Sequence, residues 1–292
     1  MKQEGNKQAL LVGINDYGGV ADLRGCLNDV TNLRNVLKQL YGFANDQVRV
    51  LTDQRATRDN ILVRLEKMVK AARSGDLLVF HFSGHGSQIR DRDGDELKDH
   101  MDELICPYDM DWDGVFITDD MLGEILNELP RGATMEVILD CCHSGTGTRY
   151  DELGRPEELG PLYPFVNRYL PPPVDIACRY EDELQWYQEK RAFLGDQRIV
   201  KNHVLWAGCK DHQTAADAYI DDSFNGAFTY YFCKHLRNCN QGLAREELHK
   251  RVVHSLKHHQ FFQTPQLECA QNGQKQPFLS HALMSKQQSG KT

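Results

Sequence analysis

His85 in FHFSGHGSQ (80–88) and Cys142 in ILDCCHSGTG (138–147) are the side chains whose type and setting suit covalent chemistry. Each ends an apolar run of strand length and runs into a polar turn containing glycine. A cysteine thiolate is a nucleophile, and an imidazole beside it stabilises the thiolate and later protonates a leaving amine. Glycines next to both residues let a substrate backbone approach and expose N–H groups for an oxyanion. A single His or Cys at a strand end is usually just packed. Two such residues on consecutive apolar strands point to a nucleophile and its acid–base partner. Zinc capture by Cys141, Cys142 and His143 is the competing chemistry, but neighbours on a strand point to opposite faces, which suits tetrahedral ligation badly.

The elements that must position this pair alternate. QALLVGIN (8–15), QVRVLTD (47–53), DLLVFHFSG (76–84), MEVILDCC (135–142) and HVLWAGC (203–209) read as strands. Between and after them, helices are expected at 27–40, after the capping Thr57, at 121–129, near 226–238 and at 244–258. Alternation of this kind predicts an α/β fold, a mostly parallel sheet covered on both faces, with its carboxyl-end crevice collecting the reactive groups. From 148 to 200 six prolines and clustered Glu give no strand period, which predicts a surface insertion with one helix at 181–194.

The bulk properties narrow the function. A chain of 292 residues with 40% hydrophobic and 26% charged residues suits a soluble globular protein. Net charge of −8 and no basic run interleaved with aromatics argue against a nucleic-acid binder. Nine cysteines without paired spacing suit a reducing, cytoplasmic setting, and no segment approaches the length of a membrane span.

HFSGHGSQ and DCCHSG resemble the His and Cys boxes of the metacaspases, caspase-fold cysteine peptidases. ALLVGINDY, LRGCLNDV, DDMLGEILNELPRG, WAGCKDHQTAADA and NGAFTYYF resemble further segments of that family in the same order, so the likeness spans about 9–147 and 203–236. The family's Asp-x-Cys-His-Ser-Gly box makes Cys142 the nucleophile. Strand alternation agrees, because Asp140 and Cys142 share one face while Leu139 and Cys141 share the other. Asp140 beside a thiolate is an unfavourable neighbour unless a cation neutralises it, and a substrate Lys or Arg would do so.

The resemblance implies an S1 pocket of Cys26, Asp29, Ser83 and Asp140 that accepts Arg or Lys. It also implies activation by Ca²⁺ held by Asp102, Asp119, Asp120 and Asp151. The stretch 91–120 holds ten Asp and two Glu, a density of hard oxygen donors that suits calcium, although it does not follow the EF-hand spacing.

The expectation is therefore one caspase-like α/β domain over 1–292, with an irregular insertion at 148–200 and a flexible tail from about 284. It would be a cytoplasmic, monomeric endopeptidase, with no organic cofactor and no nucleic-acid or membrane partner, cutting protein or peptide substrates after Arg or Lys. Cys142 attacks, His85 moves the proton, and the N–H groups of Gly86 and Cys142 hold the oxyanion. Self-cleavage is expected at a basic residue of the insertion: Arg149, Arg155, Arg168, Arg179, Lys190, Arg191 or Arg198. The short N-terminus fits a bacterial member of type I character. The alternatives are a silent caspase-fold scaffold and a peptidase with another P1 preference.

Overall fold

The structure is a computed structural model that describes residues 5–19, 21–90, 101–142, 165–176, 203–210, 213–239, 242–270 and 272–280. Its centre is a six-stranded sheet of β1 (Lys7–Gly13), β2 (Val48–Thr52), β3 (Leu77–Ser83), β7 (Thr134–Asp140), β9 (Val204–Ala207) and β12 (Gln266–Glu268). The spatial order is β12-β9-β7-β3-β1-β2. Every pairing is parallel except that of β12 with β9. β3 reads LLVFHFS and is buried along its whole length, as a strand covered on both faces must be.

Helices form those two covers. On one side α1 (Cys26–Tyr41), α4 (Ala227–Asn238) and α5 (Arg245–His258) bury Leu33, Leu37, Phe228, Phe232, Leu248 and Val252 with Trp206 of the sheet. On the other, α2 (Arg58–Ala71) and α3 (Asp119–Asn127) bury Ile61, Leu65, Leu122 and Leu126 against Leu10, Val12, Phe80 and Phe82. Local signals set the helix ends. Thr57 and Thr118 accept the N–H groups of Asn60 and Met121 at the starts of α2 and α3, and α1 stops at Gly42 with φ 67°.

Near the amino end of β7, Glu136 is fully buried. It pairs with Arg245 of α5 and accepts the Trp206 indole N–H at 2.8 Å and the Leu279 backbone N–H at 2.9 Å. A buried carboxylate survives only when satisfied in this way.

Two small antiparallel sheets cap the carboxyl end. One, ordered β4-β5-β6, contains β4 (Gly86–Arg90), β5 (Met101–Ile105) and β6 (Ile117–Thr118). The other, ordered β11-β10-β8, contains β8 (Phe165–Asn167), β10 (Ala216–Ile220) and β11 (Ser223–Gly226).

The five strands and five helices expected from periodicity all appear within a few residues of the expected limits. Two departures matter. Residues 101–105, inside the acidic stretch, form β5, and Asp102 on it is buried. Residues 165–167, inside what the sequence presents as a surface insertion, form β8. The expected helix at 181–194 and the tail from 284 lie outside the described residues.

Candidate active site

Register brings the reactive pair together. Ser83 at the end of β3 lies opposite Asp140 at the end of β7. His85 and Cys142 each follow two residues later, so both emerge at the same height above the sheet. His85 is almost fully buried and Cys142 fully so.

His85 is held from three directions. Its backbone N–H donates to the Tyr17 hydroxyl at 2.9 Å, and that hydroxyl donates to the Cys106 carbonyl at 3.0 Å. The Tyr17 ring packs edge-on against the imidazole, with centroids 4.6 Å apart. Burial raises the Tyr17 phenol well above its usual range, so its proton stays in place. His85 Nε2 is 2.6 Å from the Ala21 carbonyl, which can only accept, so the ring proton sits on Nε2. Nδ1 is buried and, with Nε2 donating, carries the lone pair of the neutral ring. Burial lowers the His85 pKa against the opposing pull of the Ala21 carbonyl, which favours this neutral form.

The two cysteines separate as strand alternation requires. Cys141 packs into the apolar cluster under α2 and α3, and burial drives its thiol well above the usual value. Cys142 belongs to a different cluster with Cys209, Ala215 and the partly buried Tyr169. The Ala215 N–H donates to Cys142 Sγ.

The cleft beside them is filled by a segment of the same chain. β8 pairs antiparallel with β10, with Asn167 opposite Ala216 and Phe165 opposite Ala218. Beyond β8, Arg168 has no exposed surface. Its carbonyl oxygen accepts the N–H of Gly86 at 3.0 Å and that of Cys142 at 3.1 Å, while its own N–H donates to the Ala215 carbonyl at 3.0 Å. A Cβ on Gly86 would lie 2.2 Å from the Cys142 carbonyl oxygen, so glycine is required for these strand ends to approach.

The Arg168 guanidinium lies among three acids. Asp29 of α1 is 2.7 Å away, Asp140 is 3.2 Å and Asp217 of β10 is 3.6 Å. Ser83 Oγ accepts from Nη1 at 2.8 Å and donates to Asp29 at 2.8 Å. The Gly226 N–H donates to Asp29 at 2.9 Å, and Thr229 donates to Asp140 through its hydroxyl at 2.6 Å. Burial pushes Asp29 up to about 7, against the pull of Arg168.

Three of the four expected S1 residues, Asp29, Ser83 and Asp140, thus touch one guanidinium. Cys26 is buried at the start of α1, and burial raises its thiol. Asp217 was missed by sequence reasoning, as were Tyr17 and Ala215. Asp217 lies in a segment that resembles the family, but it shares its face of ADAYI with the exposed Tyr219, so the pattern presents it as a solvent-facing acid.

Of the expected calcium donors, Asp102 stands on β5 just before its pairing with β6, and Asp119 and Asp120 open α3 directly after β6. The three share one corner of the molecule, and carboxylates are the right donors for a hard cation. Among the described residues, no group of three or more His, Cys, Asp or Glu is gathered to hold a metal ion. Asp151 lies outside the described residues. Among those residues no helix is long and apolar enough to cross a membrane.

The chain is similar to known proteins along most of its length. The family model for the metacaspase peptidase C14 domain matches residues 7–150. Metacaspase-1 of Pyricularia oryzae is 33% identical over 293 aligned residues, covering 91% of this chain and 72% of that protein. Metacaspase-1A of Aspergillus terreus is 31% identical, covering 91% and 71%. Among solved structures, a Geobacter sulfurreducens protein superposes with TM-score 0.67 at 26% identity over 94% of this chain and 99% of that one. Caspase-1 of Spodoptera frugiperda, at 14% identity, superposes with TM-score 0.56 over 92% and 88%, a likeness of fold.

Proposed function

Since the chain belongs to the metacaspases, a caspase-fold family of cysteine peptidases acting on proteins, we propose that it cuts peptide bonds after Arg or Lys with Cys142 and His85 as its dyad. The observation that carries this reading is the seat of Arg168. An arginine side chain satisfies Asp29, Asp140 and Ser83, while its carbonyl oxygen lies on the N–H groups of Gly86 and Cys142. A neutral P1 side chain would leave several buried carboxylates facing one another, which is costly.

In this reading the thiol is acylated and the thioester is then hydrolysed. Cys142 Sγ attacks the P1 carbonyl carbon, and the oxygen takes up charge between the two N–H donors. Each such donor is worth about 3–4 kcal/mol to the transition state. The proton taken by His85 passes to the departing amine, which leaves a thioester on Cys142. His85 Nδ1, with Nε2 fixed on Ala21, then removes a proton from water, and hydroxide releases the P1 carboxylate. Positioned acid–base transfer of this kind contributes about 10²–10⁴-fold.

The reading includes calcium at the corner of Asp102, Asp119 and Asp120, with Asp151 as the further donor. A bound Ca²⁺ would neutralise the mutual repulsion of those carboxylates.

The test is a panel of fluorogenic peptides with Arg, Lys, Asp or Asn at P1. Turnover of Arg and Lys peptides that disappears in Cys142→Ala is expected. Absence of Cys142-dependent turnover on every peptide would favour a silent scaffold, and turnover confined to Asp or Asn would overturn the basic preference.

A further inference from the structure

The segment 165–170 threads the cleft with main-chain contacts on both sides of Arg168. Upstream, β8 lies antiparallel to β10, and the Arg168 N–H continues that pairing onto Ala215. Downstream, the Leu170 N–H donates to the Gly86 carbonyl at 2.9 Å, and Ser87 Oγ donates to the Leu170 carbonyl at 2.6 Å. An added strand with one side chain in a deep charged pocket is the way extended peptides bind a sheet edge. The carbonyl polarised by Gly86 and Cys142 belongs to the bond joining Arg168 to Tyr169.

From this juxtaposition, and resting on the peptidase reading above, we propose that Arg168–Tyr169 is the bond the enzyme cuts in itself, and that 165–170 blocks the cleft until it is cut. Cys142 Sγ bonds to the Arg168 carbonyl carbon as the C–N bond to Tyr169 breaks. The Tyr169 nitrogen takes the proton and becomes a new amino terminus. One water then splits the thioester, giving the Arg168 carboxylate and restoring the thiol. No oxidant or further reactant is needed.

The same contacts define what other substrates should offer. Asn167 at the P2 position accepts a hydrogen bond from Thr214 Oγ1 at 3.0 Å. Val166 at P3 is 52% exposed and selects nothing. Phe165 at P4 packs partly buried against the apolar cluster under α1 and α4. An extended peptide with an aromatic residue at P4, a hydrogen-bonding residue at P2 and Arg at P1 is the substrate class that fits.

The experiment incubates the full chain, with and without added Ca²⁺, beside Cys142→Ala, Arg168→Ala and Arg168→Lys. New amino termini are sequenced, and progress curves on an Arg peptide and on Phe-Val-Asn-Arg-Tyr-Leu are recorded. The wild type should yield a terminus beginning at Tyr169 and a lag before full peptide turnover, and Cys142→Ala should yield neither. Arg168→Ala should lose that terminus and start without the lag. Arg168→Lys keeps a cation among the acids, guards against misfolding in the alanine variant, and should still be cut. The hexapeptide should be cut between Arg and Tyr at least tenfold faster than its counterpart with Ala at P2 and P4. Cys142-dependent turnover of Arg peptides without a Tyr169 terminus would overturn the proposal and leave the peptidase reading standing. The same terminus in Cys142→Ala, or an equal lag in Arg168→Ala, would also overturn it. Absence of turnover in every form would remove the peptidase reading, and this proposal with it.

Discussion

Asp29 and Arg168 meet at 2.7 Å with neither side chain exposed. Removing one member of a buried pair leaves an uncompensated charge, so this contact costs far more to break than a surface bridge. Under the proposed function, the guanidinium of an Arg peptide would take the place of Arg168. Asp29→Asn should lower kcat/KM for Arg peptides by about 2–5 kcal/mol. Asp217→Asn, at 3.6 Å, should show a smaller loss of the same kind. The comparison is Arg against a neutral P1, and unchanged Arg preference in both variants would place the pocket elsewhere.

Gly226 forms a wall of that pocket by having no side chain. A Cβ there would stand 2.3 Å from Asp140 Oδ2 and 2.5 Å from Arg168 Nη1. Its φ of −66° suits any residue, so Gly226→Ala acts through crowding alone. Overpacking should cost about 1–3 kcal/mol, seen as a higher KM for Arg peptides. A KM equal to wild type would mean that the guanidinium does not reach this wall.

Cys142→Ala should abolish turnover. Cys141→Ala should keep it and lose about 1 kcal/mol of stability, the usual scale of a core truncation. Activity in purified Cys142→Ala would end the assignment of the nucleophile.

His81 offers a pH test separate from catalysis. It is buried in the middle of β3, and burial, with Arg168 adding, pushes its pKa down to about 3. The unfolded chain protonates this residue near 6.5, whereas the folded chain waits until about 3. The unfolded state therefore binds more protons within that window, and stability is lost as pH falls through it. Denaturant unfolding at pH 7.5 and 5 should show the wild type losing up to about 1.4 kcal/mol per pH unit relative to His81→Leu. Parallel pH dependences would show an ordinary imidazole.

Calcium activation predicts that Arg-peptide turnover falls after exhaustive chelation and returns with Ca²⁺ better than with Mg²⁺, whose octahedral demand is stricter. Asp119→Ala/Asp120→Ala should weaken the response. Full activity in chelator, or an unchanged response in the double variant, would remove calcium from the scheme.

Much of this arrangement was readable from residue order. The mostly apolar run of β3 and the alternation around Cys141 and Cys142 express burial on two faces, and periodicity records burial directly. β8 was not readable. It has three residues, lies in a proline-rich stretch and is held by main-chain bonds to β10, which leave no pattern in side-chain type. β5 was hidden by its charges, since MDELI sets two acids side by side without alternating in polarity and buries one of them. Asp217 needed the fold to bring its carboxylate onto the Arg24 and Gly25 N–H groups at the start of α1 before it could be set beside Asp29.

Cutting after Arg168 would not release half a molecule. β7 would lie on one piece and β9 on the other, yet they stay paired from Glu136 with Val204 to Leu139 with Ala207. The buried Glu136–Arg245 contact also joins the two pieces. The nicked product is thus a noncovalent heterodimer built on a shared sheet. Asp29, Ser83 and Asp140 come from one subunit and Asp217 and Ala215 from the other, so dilution alone should leave it assembled and a denaturant should be needed to part it.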